Sequence, residues 1–272
     1  MLRNYLKPIK CALLLSVLIV MLLSFSACSE QELTLSIDND TLEVGDTATI
    51  QIKNSELTKE EMKNIQWNSS DGTILSVEDG IVTALYDDKL FNDGLDYMEA
   101  KGEDWTELDD TPENVTLVTV TARTGNYSGR VNVTVKPKPI EFENGDIVVE
   151  PKGSCAVPLE VDVTGNSYVY LKSTTNEDND IAFLIKENGD ENYETASVRV
   201  YVPSDTYELY YTSGEEWYGE KHKFGEVYPK YKDDELLDCT NGGLRISLYS
   251  FASYSMNSGS GNSIDESQFP GK

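Results

Sequence analysis

Histidine and basic residues are what this sequence most lacks. It has one histidine, His222, and only 22 lysines and arginines against 48 aspartates and glutamates, a formal net charge of −26. A surface so negative repels phosphate backbones and anionic lipid at long range, which excludes nucleic acid as a partner. A single histidine excludes polyhistidine zinc sites. The four cysteines include no Cys-x-x-Cys, so thiolate zinc and dithiol redox chemistry have no basis either. There is no Gly-x-Ser-x-Gly elbow. The longest apolar run, about 15 residues in CALLLSVLIVMLLSF, falls short of the roughly 18–20 that cross a bilayer as a helix.

That short run belongs to the grammar of export. Arg3, Lys7 and Lys10 precede it, and the small residues of SFSAC follow it. The ending FSAC before SEQE resembles a bacterial lipobox. The resemblance implies cleavage after residue 27, a diacylglyceryl group on Cys28 and a tether over 28–32. Two acyl chains, at about 0.8 kcal/mol per buried CH₂, are enough for stable anchoring. The expected location is extracytoplasmic, with the membrane as first partner through the lipid anchor. Cys11 leaves with the leader, so Cys155 and Cys239 remain as a possible disulfide. Closing a loop of about 85 residues would stabilise the fold by roughly 4–5 kcal/mol.

The rest of the chain alternates apolar and polar residues at period two, with turn residues between the runs. The fold class expected is all-β, two β-sandwich domains in tandem, meeting at VKPKPIEF, where two prolines end one alternating segment. In the first half LTLSI, TATIQIK, IQW, ILSV, IVTAL, NVTLVTVTAR and GRVNVTVK read as strands. SELTKEEMKN has room for a helical turn or two. The stretches LEVGDTATI (42–50), IQWNSSDGTILSVEDGIVTAL (65–85) and VTVTARTGNYSGRVNVTV (118–135) resemble the bacterial immunoglobulin-like group 2 domain over 33–137. The resemblance implies Trp67 between the sheets and a tight hairpin at Asp79-Gly80.

This chain departs from that pattern by inserting the acidic segment 86–113, with Phe91, Tyr97 and Trp105. It reads as a solvated loop, or as a weak calcium candidate built from Asp87, Asp88, Asp93 and Asp96. It matches no EF-hand pattern, and no other cofactor is expected.

Residues 138–272 form the second domain. IVVEP, AVPLEVDV, SYVYLKST, IAFLIK, ASVRVYVP, YELYYTSG and LRISLYSF read as its strands, and a Ser/Gly-rich tail ends in a Phe269 anchor. Within it, residues 167–269 resemble an uncharacterised bacterial extracytoplasmic β domain with a WYGExxxFG signature. That resemblance implies a compact β module and no activity.

The signature lies in SGEEWYGEKHKFG, 213–225. Catalysis there would need a partner and an orienting group for His222, or a carboxylate pair among Glu215, Glu216 and Glu220. Adjacent glutamates are expected by chance in so acidic a chain, so no enzyme is expected. Trp217 and Phe224 read as a clamp on the sheet, with His222 exposed between Lys221 and Lys223. The binding alternative takes Trp217, Tyr218, His222 and Phe224 as a ligand contact, because aromatic loops stack on sugars and anchor peptides. Tyr168 and Tyr170 share one strand face, which is either core or an outward platform. The expected function is a non-catalytic cell-surface lipoprotein that binds a cell-wall glycan, polysaccharide or surface protein. The alternative is a spacer or envelope-assembly subunit without a ligand of its own.

Overall fold

The computed structural model describes residues 31–53, 56–102, 112–187, 195–225, 227–248 and 261–270. The export segment, Cys28, Trp105 and the stretch 251–260 lie outside the described residues.

The first sandwich contains β1 (Gln31–Glu32), β2 (Leu35–Ile37), β3 (Thr41–Glu43), β4 (Thr47–Ile52), β5 (Gln66–Ser69), β6 (Leu75–Glu78), β7 (Ile81–Ala84), β8 (Thr116–Thr124) and β9 (Tyr127–Lys136). One sheet runs β1-β9-β8-β5, with β3 also on β9, and the other runs β2-β4-β7-β6. Period-two alternation sends Val118 and Val120 of β8, and Val133 and Val135 of β9, into the core with Leu42, Ile50, Leu75 and Val82. Each such burial contributes about 1.5–3 kcal/mol.

Asp79 and Gly80 both have positive φ, at 49° and 80°, as the two-residue hairpin between β6 and β7 requires. Trp67 is only partly buried. It lies over that hairpin, where a Cβ on Gly80 would stand 3.0 Å from its ring. The helix α1 (Lys59–Lys63) starts with a reciprocal box in which Thr58 Oγ1 accepts from Glu61 N and Glu61 Oε2 accepts from Thr58 N.

The second domain contains β10 (Ile147–Val149), β11 (Cys155–Val163), β12 (Ser167–Ser173), β13 (Ile181–Ile185), β14 (Ala196–Pro203), β15 (Thr206–Ser213), β16 (Lys230–Asp233), β17 (Leu237–Asp238), β18 (Leu244–Leu248) and β19 (Gly261–Ile264). Its large sheet runs β10-β13-β12-β15-β16-β19, with β17 on β15. Its small sheet is β14-β11-β18, in which β18 lies parallel to β11. Val169, Leu171, Phe183 and Leu209 face Leu159, Val161, Val200 and Val202 of the small sheet.

The other face of the large sheet is not wet. Tyr168, Tyr170, Leu184 and Tyr210 are covered by Phe142, Trp217, Phe224 and Phe269, which form a third layer made of loops. All five residues of β13 are buried for this reason.

Two sequence expectations need correction. Cys155 and Cys239 are free thiols, the first exposed and the second buried. Cys239 is held in the core with its amide on Asp205 O, whereas Cys155 stands at an irregular strand end with its thiol toward Gly153 O. The described part of the 86–113 insert, residues 86–102 and 112–113, is not simply a solvated loop. Its 3₁₀ turn Asp88–Leu90 puts Leu90 fully into the first core, and α2 (Leu95–Lys101) follows.

Asp205 is the most heavily bonded buried carboxylate among the described residues. It accepts from Ser173 Oγ, Thr175 Oγ1, Asn179 Nδ2 and Thr206 N, and so ties the β12–β13 connection to the β14–β15 turn. Burial alone would raise its pKa, but the hydrogen bonds win and hold it down at about 2. A depressed carboxylate contributes stability above its unfolded pKa and loses it as pH falls through the folded one. That contribution, about 2 kcal/mol, therefore persists at pH 5 and disappears toward pH 2. Asp205→Ala should lower the urea-unfolding free energy by about 2–4 kcal/mol at neutral pH and less at pH 2; an equal loss at both values would contradict this assignment. For the cysteines, thiol titration of the denatured chain should count both as free, and a mass lower by two hydrogens than the reduced chain would contradict that.

Candidate functional site

The segment joining β15 to β16, residues 214–229, folds back on the large sheet because its glycines allow it. A Cβ on Gly214 would stand 2.3 Å from Phe224 Cβ, so only glycine lets the returning chain lie so close. Tyr218 N donates to Lys223 O and Lys223 N to Gly219 O, which closes the loop on itself. Trp217 then stacks on Tyr168 with centroids 5.2 Å apart, and Phe224 meets Trp217 edge-on at 5.4 Å. Both are buried, at 4% and 1% exposure. Lys223 is buried as well, with Nζ 4.9 Å from the Phe269 ring centroid and donating to Glu220 O. Burial also pushes the Tyr168 hydroxyl well above its ordinary range.

The opposite side of the same loop meets the first domain. Phe91, from the turn that Leu90 anchors, lies flat on the His222 imidazole with centroids 3.6 Å apart and planes 5° from parallel. Tyr218 meets Phe91 edge-on at 5.3 Å. His222 Nε2 lies 2.9 Å from the Tyr86 hydroxyl and 3.2 Å from Asp88 Oδ1, and Lys221 Nζ reaches Asp88 Oδ2 at 2.5 Å. Lys221 is the main reason the Asp88 carboxyl sits below its ordinary range, with Tyr86 and His222 assisting. The His222 side chain is only 10% exposed, so the expectation of an exposed histidine is corrected: its ring is a packing surface between domains.

Beside this joint lies a cleft of about 350 Å³ with walls from both domains. Glu113 and Asn114 come from the start of the β8 segment, Lys136 from the end of β9, and Glu215, Tyr218 and Tyr228 from the loop. Gly225, φ 110°, packs against Asn114 of the first domain, and a Cβ there would stand 2.8 Å from Asn114 Nδ2. Asn114 itself has φ 51°, a left-handed conformation that asparagine tolerates.

Of the four loop residues considered for ligand contact, Tyr218 and Phe224 line the cleft, while Trp217 packs on the sheet and His222 packs in the joint. Glu215 and Glu216 also line it, and Glu216 accepts from the Tyr218 hydroxyl at 2.5 Å. Glu220 is exposed on the loop away from that lining.

The calcium candidates do not converge. Asp87 caps the 3₁₀ turn, Asp88 is engaged in the joint, Asp93 accepts from Leu95 N, and Asp96 lies in the first turn of α2. Among the described residues no group of three or more His, Cys, Asp or Glu side chains is placed to hold a metal ion.

Tyr86, Phe91 and Asn114 were not read as functional positions from the sequence. The available signal was the length of the insert, since long loops inside compact domains are usually structured for a purpose.

The described residues define an all-β protein of two sandwiches locked by an aromatic loop. Neither the protein-family models nor the curated proteins contain a match to this chain. Among solved structures, the crystal structure of the S-layer protein SbsC domains 4 and 5 is similar at 17% identity, over 68% of this chain and 95% of that one, with a TM-score of 0.27. So loose a similarity carries no argument about function, and the fold class rests on the sheets themselves.

If Phe91 couples the domains, Phe91→Ala should remove about 3 kcal/mol of mutual stabilisation. Wild-type protein should then unfold in urea in one transition and the variant in two. Two transitions already present in the wild type, or one retained in the variant, would contradict the coupling.

Proposed function

We propose that this chain is a non-catalytic, lipid-anchored surface protein whose two β domains, the first of the bacterial immunoglobulin-like group 2 type, jointly present one binding cleft away from the membrane. The observation that carries this reading is the cleft itself, because its walls come from both domains and the joint beside it holds them in register. A fixed concave surface with a few aromatic and charged side chains is the usual form of a recognition site. Preorganisation also avoids the cost of ordering the walls on binding.

The non-catalytic part of the reading is supported by how the loop's residues are used. His222 is engaged by Phe91, Tyr86 and Asp88 in the joint. Cys239, the buried thiol, is raised to about 11 by burial and then by Asp238 and Asp205, so it is protonated at neutral pH and a poor nucleophile. Extracytoplasmic anchoring through Cys28 is supported by the leader, SFSAC and the acidic remainder. A second reading, a rigid spacer in an envelope assembly, draws on the same joint, since a locked pair of domains transmits position whether or not the cleft is filled.

The two readings separate in a sedimentation experiment with purified cell wall. The wild-type chain should pellet with wall material, and the charge-reversed variant Glu113→Lys/Glu215→Lys should lose at least about tenfold in affinity while keeping its unfolding midpoint. Tenfold corresponds to about 1.4 kcal/mol. Wild-type protein that stays in the supernatant, or a variant that pellets equally, would remove the cleft as the binding site and leave the spacer.

A further inference from the structure

The cleft's polar lining is dominated by hydrogen-bond acceptors. Glu113, Glu215 and Glu216 contribute carboxylates, and carboxylates accept only. Asn114 adds an amide oxygen in an unusual position: the residue is 5% exposed, lines the cleft, and its Oδ1 has no hydrogen-bond partner among the described residues. A buried acceptor left so costs about 1–3 kcal/mol, and a donor arriving from the cleft would remove that cost. Lys136 is the one cationic side chain in the lining.

The acceptors are not gathered tightly enough for a metal ion. Calcium needs six to eight oxygens at about 2.3–2.6 Å, and the absence of any three-carboxylate group among the described residues excludes that geometry there. A cation that carries its own donors on a carbon stem can instead bridge separated acceptors. Tyr218 and Tyr228 line the same cleft, and aromatic rings attract ammonium groups and cover methylenes.

We propose that the cleft binds an organic primary ammonium group, its three N–H donors directed to the Glu113 and Glu215 carboxylates and to Asn114 Oδ1, and its stem lying on Tyr218 and Tyr228. This names the chemistry of the site in the proposed function and rests on that reading. The electrostatics agree: although Glu113 as a residue is exposed, partial desolvation of its carboxyl, and after it the charge of Glu215, raise that carboxyl above its ordinary range, and a bound cation offsets both effects.

The test is calorimetric titration of the full chain in detergent micelles with n-butylammonium, Nα-acetyl-lysine amide and glucosamine. Nα,Nε-diacetyl-lysine amide serves as the uncharged counterpart, and calcium chloride as the competing cation. All probes are taken to about 10 mM, enough to occupy a millimolar site. Binding by the amines and not by the diacetylated compound, weakened at least about tenfold in Glu113→Gln/Glu215→Gln, is the expected result. The preference between the lysine amide and glucosamine then distinguishes a peptide from an amino sugar as the source.

Equal binding of the diacetylated compound, unchanged affinity in the double variant, binding of calcium alone, or no heat with any amine would each overturn the inference. Wall material retained by the wild-type chain while the amines fail would overturn this inference alone. Failure of both wall and amines would overturn the binding reading with it.

Discussion

The structure depends on the need to cover one aromatic sheet face. Strand β12 places Tyr168 and Tyr170 opposite the face that packs on the small sheet, and β15 adds Tyr210 beside them. Buried aromatic side chains contribute large apolar areas, and leaving this face wet would forfeit several times the 1.5–3 kcal/mol that a single buried side chain provides. The Trp217 stack on Tyr168 is the centre of the cover, with Phe224, Phe142 and Phe269 around it. A two-layer sandwich thereby becomes a three-layer unit whose outer layer is loop.

The cover has a second side, and that is how packing inside one domain becomes a contact between two. Once Trp217 and Phe224 face the sheet, Tyr218, Lys221 and His222 point outward from the same turn. The first domain meets them with Phe91, Tyr86 and Asp88, carried on a turn fastened by Leu90 in its own core. The exposed Lys221–Asp88 pair adds register more than energy, as surface ion pairs usually do. The stacked rings exclude water and supply the larger share. The cleft lies alongside, with Glu113 and Asn114 on the wall from the first domain and Glu215, Tyr218 and Tyr228 on the wall from the loop.

Most strands were legible, and for a simple physical reason. Where one face is solvated, alternation at period two reports the strand directly, as in TATIQIK and GRVNVTVK. The Asp79-Gly80 hairpin and the Thr58 helix start carried equally local signals.

What was not legible depended on contacts distant in sequence. KYKD and LD, β16 and β17, are too polar to announce themselves and form by pairing with β15. The centre of SYVYLKS, Tyr168–Leu171, is a continuous apolar run consistent with burial on both faces, but nothing local says what covers the second face. The loop aromatics were recognisable as a clamp on the sheet, whereas the stacking of His222 on Phe91 joins positions on two different domains and has no sequence period at all. Two cysteines on the export side suggested a bridge, yet chain spacing says nothing of where the thiols point.

The central claim is that the loop after β15 locks the sandwiches into one body. Residual dipolar couplings of backbone amides in a weakly aligned sample test it most directly. A single alignment tensor fitting the amides of both β8–β9 and β12–β15 is the predicted result, and two tensors of clearly different orientation or magnitude would contradict it.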